Sequence, residues 1–441
     1  MSLFKFVEEL PERSTDNPLN YKTLRRRRLV NALMPMICLQ YLNQSGETVD
    51  VEVSKMQRTL DLTELEIASI DLTPLQQAPS LEVLNLYYNH LKRIDLQPLQ
   101  YCPNLQELYI SENTLTVLDL SPLKKCTNLT ILELHQNQLE SLDLTPLMHC
   151  TGLKRLDISY NNLAKLDLRP LWHCVNLQEL DLAENQFIKL DLTALFYCTK
   201  LQDLDLSNNY LEALDLSPLW KCHNLRTLNL QGNRIQNLDL RPLYHCQALQ
   251  ELDLSKNRIT NVDLKPLWHC RELETLWLAG NQLTTLELSP LWHASQLRSL
   301  NLKDNQLSRL DISPILKGQH DFNFFIDANV QLAAEQRLQA ALWKHTPTSF
   351  QQRISEITWY KPQDIGSSII SDLEPQTLAS QPTKTKKEAI NLDALGQEFI
   401  THCIARGWIV ARMTPEGVEY ELTTMGEIAL RGIGLNPFKQ D

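Results

Sequence analysis

Residues 105–126 read L-Q-E-L-Y-I-S-E-N-T-L-T-V-L-D-L-S-P-L-K-K-C, and variants of this sequence recur every 24 residues, without insertion or deletion, from about residue 57 to residue 316. The first leucine of the unit recurs at Leu81, Leu105, Leu129, Leu153, Leu177, Leu201, Leu225, Leu249, Leu273 and Leu297. An asparagine stands eight positions later in each unit, at Asn89, Asn113, Asn137, Asn161, Asn185, Asn209, Asn233, Asn257, Asn281 and Asn305. A fixed period of this length indicates a solenoid, in which each unit buries its apolar edge against its neighbours.

The shared pattern, L-x-x-L-x-L-x-x-N-x-L-x-x-L-D-L-x-P-L-x-x-C, resembles the leucine-rich repeat family. The resemblance covers residues 57–330 and implies an α/β fold, a curved horseshoe with a parallel sheet on its concave face. It names no partner, because one fold can serve many functions.

Within one unit, residue types assign structural roles. Alternation over residues 108–110 predicts a strand that buries Leu108 and turns Tyr109 outward. The asparagine is predicted to bond main-chain groups of the following turn. A hydroxyl before proline, as in Ser121-Pro122, predicts an N-cap and a short helical turn. The aspartate column that includes Asp119 is interpreted as turn-capping chemistry and not as a catalytic row.

Cysteine ends eight successive units, at Cys102, Cys126, Cys150, Cys174, Cys198, Cys222, Cys246 and Cys270. Alanine takes this position at Ala78 and Ala294, so we interpret the column as buried packing. No C-x-x-C pair occurs, which argues against a zinc site, and a run of free thiols favours a reducing, cytoplasmic location. We therefore expect no metal and no cofactor.

Composition narrows the function. The formal net charge of -11 argues against nucleic acid as a partner of the whole molecule. Residues 1–20 carry no apolar run of the signal-peptide type, and no stretch is apolar enough to span a membrane, so no membrane partner is expected. Gly-rich phosphate loops, H-E-x-x-H and G-x-S-x-G are missing from the sequence, which predicts a non-enzymatic protein.

The N-terminal residues 1–56 are predicted to form a helical cap on the solenoid. Leu29, Leu33, Ile37 and Tyr41 recur every four residues and favour a helix over residues 20–42, which Pro35 kinks or splits. Residues 51–53 are predicted as an edge strand. Residues 57–80 then form a degenerate first repeat in which Leu65 replaces the asparagine.

The C-terminal part is predicted to contain three further segments. After one more strand at Phe324 and Ile326, residues 331–360 form a cap that begins with a helix over 331–344. Residues 361–386 have the composition of a flexible linker. Residues 387–441 form a small domain with helices over 391–406 and 423–430 and a hairpin over 408–422. Residues 420–427 resemble the wing of winged-helix domains, which implies DNA binding or protein docking.

The outward columns of the predicted sheet carry the candidate binding site. Nine carboxylates, which we call the acidic belt, lie in these columns beside one base, Arg155: Glu107, Glu133, Asp157, Glu179, Asp181, Asp203, Asp205, Glu251 and Asp253. Aromatic side chains flank the belt at Tyr87, Tyr88, Tyr109, Tyr160 and Trp277. This combination predicts a basic protein or peptide partner, and the alternative is that E-L-D-L-S is only repeat consensus.

A second column, the aromatic stripe, follows the P-L pair on the return side: Trp172, Phe196, Trp220, Tyr244, Trp268 and Trp292, with Met148 before them. Its rings either seal the solenoid from water or form a second interface, and the oligomeric state stays open. A histidine column beside the stripe alternates with Tyr and Lys, which argues against metal binding. The competing function is a DNA-linked regulator, in which residues 387–441 contact nucleic acid and the repeats sense a protein.

Overall fold

A three-residue strand forms around the first leucine of each L-x-L segment, because the two leucines of the segment enter the core while the residue between them points outward. In the strand of residues 107–109, Leu108 is fully buried and both neighbours are partly exposed. The computed structural model of this chain describes residues 35–316, 323–339 and 353–361, and the backbone of 409–414 and 417–422. The predicted alternation is confirmed.

The strands of the described residues are numbered in chain order. They are β1 (Met36–Asn43), β2 (Thr48–Ser54), β3 (Thr59–Asp61), β4 (Ile67–Asp71), β5 (Val83–Asn85), β6 (Glu107–Tyr109), β7 (Ile131–Glu133), β8 (Arg155–Asp157), β9 (Glu179–Asp181), β10 (Asp203–Asp205), β11 (Thr227–Asn229), β12 (Glu251–Asp253), β13 (Thr275–Trp277), β14 (Ser299–Asn301), β15 (Arg309–Asp311), β16 (Asn323–Phe325), β17 (Gln331–Glu335), β18 (Thr358–Tyr360), β19 (Ile409–Thr414) and β20 (Gly417–Leu422).

One long parallel sheet organises the solenoid. Within the described chain it contains 12 strands in the order β3, β5 to β14 and β16, each paired with the next repeat at equivalent positions. The predicted degenerate first repeat supplies β3, and the strand predicted at Phe324 is β16, so both predictions are confirmed.

The asparagine column holds the turns together, as predicted. Asn113 Nδ2 donates to the carbonyl oxygens of Leu86, Ile110 and Ser111 at 3.0–3.1 Å, and its Oδ1 accepts the N–H of Leu91 at 2.9 Å. The side chain therefore bonds main-chain groups of its own repeat and of the preceding one, which would otherwise be buried without partners.

Short 3-10 turns form the return side. They span Thr73–Gln77, Gln97–Tyr101, Ser121–Lys125, Thr145–His149, Arg169–His173, Thr193–Tyr197, Ser217–Lys221, Arg241–His245, Lys265–His269 and Ser289–His293. Two more lie at Gln336–Leu338 and Ile354–Glu356, and one α-helical turn, α1, spans Ser313–Leu316.

The aspartate column caps these turns, whereas the predicted hydroxyl N-cap is wrong. Asp119 Oδ1 accepts the N–H of Ser121 at 2.8 Å, and the Ser121 hydroxyl donates to Asp119 Oδ2 at 2.8 Å. Position 120 is the N-cap residue and its side chain makes no capping bond. The carboxylate is the acceptor because it reaches the free N–H from two residues away.

The predicted N-terminal helix is wrong over residues 36–42, which belong to β1. Antiparallel pairing gives the order β2-β1-β4, so the edge strand predicted at residues 51–53 is confirmed as part of β2. Ile37, Leu39 and Tyr41 face the core in strand alternation. Residues 1–34 of the predicted cap lie outside the described residues.

The C-terminal cap is also built from strands where it is described. β15, β17 and β18 form a parallel sheet, so the helix predicted over residues 331–344 is wrong at Gln331–Glu335. Residues 340–352 lie outside the described part. Beyond it, β19 and β20 pair antiparallel, which confirms the predicted hairpin, while the linker and both C-terminal helices lie outside the described residues.

Candidate functional site

The parallel register brings all nine residues of the acidic belt onto one sheet face. One outward column runs Glu107, Ile131, Arg155, Glu179, Asp203, Thr227 and Glu251. The other runs Tyr109, Glu133, Asp157, Asp181, Asp205, Asn229, Asp253 and Trp277. Neighbours within a column are roughly 5 Å apart because that is the spacing between paired strands.

Four aspartates of the belt have a structural role that the sequence analysis missed. Asp157, Asp181, Asp205 and Asp253 each accept the main-chain N–H two residues later, at 2.8–3.0 Å. Asp157 and Asp253 are buried, with 6% and 8% of their surface exposed. The spacing D-x-S, seen three times in this column, was the available signal, since the serine hydroxyl also donates to Asp157 and Asp253.

The half of the belt nearer the N-terminus is partly compensated by ion pairs within the chain. Arg155 Nε lies 3.0 Å from Glu133 Oε1, and its Nη1 lies 2.9 Å from Glu179 Oε2. His135, which the sequence analysis did not single out, places Nδ1 3.3 Å from Asp157 Oδ2. The bond to Asp157 raises the pKa of His135. Burial opposes ionisation of Asp157, but its bonds to His135 and Ser159 lower its pKa overall.

The other half of the belt lacks such compensation. Asp203 and Glu251 form no salt bridge with any residue that the structure describes, and Glu251 is exposed. Asp205 accepts a bond from Asn229 Nδ2 at 2.8 Å, which leaves its charge in place. Burial, together with the neighbouring charges of Asp157 and Asp205, raises the pKa of Asp181 to about 7. A cationic ligand could therefore pair with the carboxylates of Asp203 and Glu251.

Aromatic side chains flank this face. Tyr88 and Tyr160 are 56% and 53% exposed, and Trp277 is 38% exposed beside Asp253. Tyr87 donates its hydroxyl to Glu112 at 2.5 Å, and this bond raises the pKa of Tyr87 to about 12. Tyr109 bonds Glu107 at 2.8 Å. Tyr88, Tyr160 and Trp277 therefore keep accessible ring surface, whereas Tyr87 and Tyr109 already hold carboxylates.

Five rings of the aromatic stripe contact side chains of the following repeat. Four of these rings meet the ring 25 positions later: Trp172 stacks on Tyr197 at 4.4 Å, and Trp220, Tyr244 and Trp268 lie 4.4–4.6 Å from His245, His269 and His293. Phe196 receives the ammonium of Lys221 at 4.4 Å. These contacts favour the sealing role of the stripe, and its role as an interface stays a prediction.

The cysteine column is buried, as predicted for packing. All eight side chains are fully buried and unbridged, and burial raises their thiol pKa values to about 11 or 12. Thiols bond carbonyl oxygens of the preceding repeat, as from Cys150 Sγ to Cys126 O at 3.5 Å. Within the described chain, no three metal-ligating side chains cluster, and no helix is long and apolar enough to cross a membrane.

Family models for the repeat match over most of the solenoid. The model described as "Leucine rich repeat" matches residues 58–115, 127–187, 175–235, 223–283 and 247–307, and "Leucine Rich repeats (2 copies)" matches residues 103–147. The chain belongs to the leucine-rich repeat family. These matches end at residue 307, and nothing beyond the hairpin supports the winged-helix resemblance of the C-terminal residues.

Solved leucine-rich repeat structures share this fold. The functional domain of InlJ from Listeria monocytogenes, described as including a cysteine ladder, is 28% identical, with TM-score 0.52 over 64% of this chain and 57% of that one. The chain thus spans little more than half of that domain. PEPR1 in the PEPR1–AtPEP1 structure is 27% identical, with TM-score 0.56 over 63% and 39%.

A third structure shows the fold alone. The leucine-rich repeat ectodomain of the receptor kinase GASSHO1/SCHENGEN3 from Arabidopsis thaliana, in complex with CASPARIAN STRIP INTEGRITY FACTOR 2, is 24% identical, with TM-score 0.51 over 60% of this chain and 34% of that one. No curated protein sequence matches the chain significantly.

Proposed function

We propose that this leucine-rich repeat protein is a non-enzymatic recognition module that binds a basic protein or peptide along its sheet face. The observation that carries the proposal is the uncompensated half of the acidic belt. Asp203 and Glu251 lie in one column with no salt-bridge partner in the described chain, and Trp277 stands exposed in the neighbouring column, directly after Asp253.

A cation docks on this half without breaking an existing pair. At the other half, Arg155 already spans Glu133 and Glu179, so a ligand cation there would have to displace it. Exposed ion pairs contribute only about 0.2–1 kcal/mol each, so affinity also needs a buried anchor. Trp277 is suited to that role, since aromatic side chains dominate the energetics of protein interfaces.

The known relatives support a macromolecular partner. Leucine-rich repeat proteins bind proteins or peptides, and PEPR1, which is 27% identical to this chain, was solved as PEPR1–AtPEP1. The basic character of the partner comes from this chain's own residues. We also propose a reducing, cytoplasmic location, because the eight cysteines of the cysteine column are buried and form no disulfide.

Selection of a displayed random peptide library on the full chain tests the proposal. Peptides rich in Lys and Arg are expected, and Asp203→Asn with Glu251→Gln should weaken them on the order of tenfold and reduce their salt dependence. In the described chain, neither side chain accepts a hydrogen bond from the main chain, so the fold should stay intact. Substitution of Asp157 or Asp253 would instead remove such a bond.

A matched control removes the same charge elsewhere. Glu140→Gln with Glu212→Gln changes two exposed carboxylates that follow the turn and lie off the sheet. This control should leave binding unchanged. Enrichment of acidic or uncharged peptides, or equal loss of binding in both double variants, would exclude the acidic belt as the recognition surface.

A further inference from the structure

A basic depression lies at the edge of the sheet face where the strands turn. It has a volume of about 430 Å³ and is lined by Tyr210, Gly232, Arg234, Lys256, Arg258 and Gly280, together with column asparagines. The sequence analysis did not identify it. The signal was present, since Arg234 and Arg258 are 24 residues apart and therefore equivalent in adjacent repeats.

Two glycines create the space. Their column adopts positive φ in the described repeats and elsewhere carries side chains such as Tyr88, Glu184 and Lys256. Gly232 and Gly280, with φ of 69° and 68°, replace those side chains in the repeats on either side of Lys256. A Cβ at Gly280 would lie 3.4 Å from the Lys256 backbone, so the bare main chain of Gly280 borders Lys256.

The three cations of the depression have no acidic partner. Arg234, Lys256 and Arg258 form no salt bridge with any residue of the described chain, whereas Arg169 and Arg241 each hold an aspartate. Arg234 rests on the Tyr210 ring at 4.5 Å, which orients its guanidinium. Like charges on adjacent repeats, roughly 5 Å apart, repel each other unless an anion lies between them.

We propose that this basic depression binds an oxyanion, either a phosphate monoester or a carboxylate. Paired guanidinium groups match the geometry of both groups, and the lysine adds a compact charge. The depression adjoins the acidic belt through Lys256 and Asp253, so the partner's own side chain is the natural carrier. That attribution rests on the function proposed above, while the anion site itself does not.

Titration of the full chain with inorganic phosphate at low ionic strength, followed by the ³¹P NMR linewidth, tests the site. Binding is expected in the wild type and about tenfold weaker in Arg234→Gln with Arg258→Gln, since charged hydrogen bonds are lost. Lys165→Gln with Lys189→Gln removes the same charge from exposed lysines outside the depression and should not change binding.

A second variant tests the space rather than the charge. Gly280→Glu introduces a carboxylate in a column where Glu112 and Glu184 already adopt the same positive φ, so the backbone accommodates it. It should abolish phosphate binding. Circular dichroism checks the fold of each variant.

Comparison of O-phosphoserine with glutamate then identifies the oxyanion: tighter binding of phosphoserine assigns a phosphate, and equal binding assigns a carboxylate. No phosphate binding at low ionic strength, or equal weakening by the lysine control, would overturn the anion site. Phosphate binding that persists in Asp203→Asn with Glu251→Gln, while basic peptides fail to bind, would separate the site from the proposed function.

Discussion

At the scale of single residues, each buried asparagine of the column makes several hydrogen bonds to main-chain groups. Asn161 Nδ2 donates to Leu134, Ile158 and Ser159 carbonyls at 3.1 Å each, and its Oδ1 accepts the N–H of Leu139 at 3.0 Å. Replacement leaves the Leu139 N–H and several carbonyl groups buried without this partner, and an unsatisfied group costs about 1–3 kcal/mol.

Asn161→Ala should therefore lower the free energy of unfolding by about 2–4 kcal/mol in chemical denaturation. The adjacent Asn162 is exposed and provides the control. Asn162→Ala is expected to change stability by less than about 0.5 kcal/mol. Similar losses at both positions would contradict the structural role of the column.

Asp181 makes stability depend on pH. Its folded pKa of about 7 lies above the reference value of 3.8, so the folded state disfavours its charge. The resulting loss of stability is absent below pH 4, grows between pH 4 and 7, and is complete above about pH 7.

Asp181→Asn removes that charge and keeps an acceptor for the Ala183 N–H. The variant should match the wild type near pH 4 and exceed it in stability at pH 8, as measured by denaturant unfolding across this range. Taking the difference between the two proteins removes the contribution of titrating groups that do not interact with Asp181. A difference that does not vary with pH would refute the assignment.

At the scale of elements, substitutions in β1 can distinguish the observed strand from the helix that the sequence indicated. Leu39 is fully buried, whereas Leu42 is 39% exposed in the same strand. Leu39→Ala should cost about 2–5 kcal/mol of stability, because it leaves a cavity in the core. Leu42→Ala should cost less than about 1 kcal/mol. Equal costs in thermal or chemical unfolding would argue against the strand.

The helix was wrongly predicted because the apolar residues of this segment recur every four positions. Residues 33, 37 and 41 share one face of a helix, but any even spacing also shares one face of a strand. Leu39 fits only the strand face, and its burial resolves the ambiguity. At Gln331–Glu335 three successive residues are buried, a pattern that sequence alone does not assign to either element.

The repeat itself was predictable because its features have local causes. The period reflects the stacking of equivalent units, and the asparagine and aspartate bond main-chain groups of nearby turns. The site was predictable only in part. The columns follow from the register, but burial of Asp157 and the ion pairs of Arg155 depend on how strands stack. Which carboxylates remain free is a property of neighbouring repeats, and no single unit reveals it.

At the scale of the whole molecule, the solenoid should tolerate loss of a complete unit. Deletion of residues 129–152 joins repeats in phase, so β6 can pair with β8 and every column continues. The shortened protein should unfold cooperatively, with a smaller denaturant m-value in proportion to the surface removed.

Deletion of residues 129–140 provides the control because it removes only half a unit. It takes away β7 but leaves the following turn, so the sheet loses its register at that point. This variant should lose stability and cooperativity, as seen by circular dichroism during urea unfolding. Equal behaviour of the two deletions would contradict a solenoid stabilised by contacts between adjacent repeats.

The column of eight buried cysteines allows the local opening of individual repeats to be followed by thiol reactivity. Alkylating reagents attack the thiolate, and a buried thiol whose pKa stands near 11 or 12 stays inert while its repeat is closed. Each of eight successive repeats thus carries one internal probe. The order in which the thiols become reactive is the order in which repeats open, and simultaneous reaction of all eight would identify the solenoid as one cooperative unit.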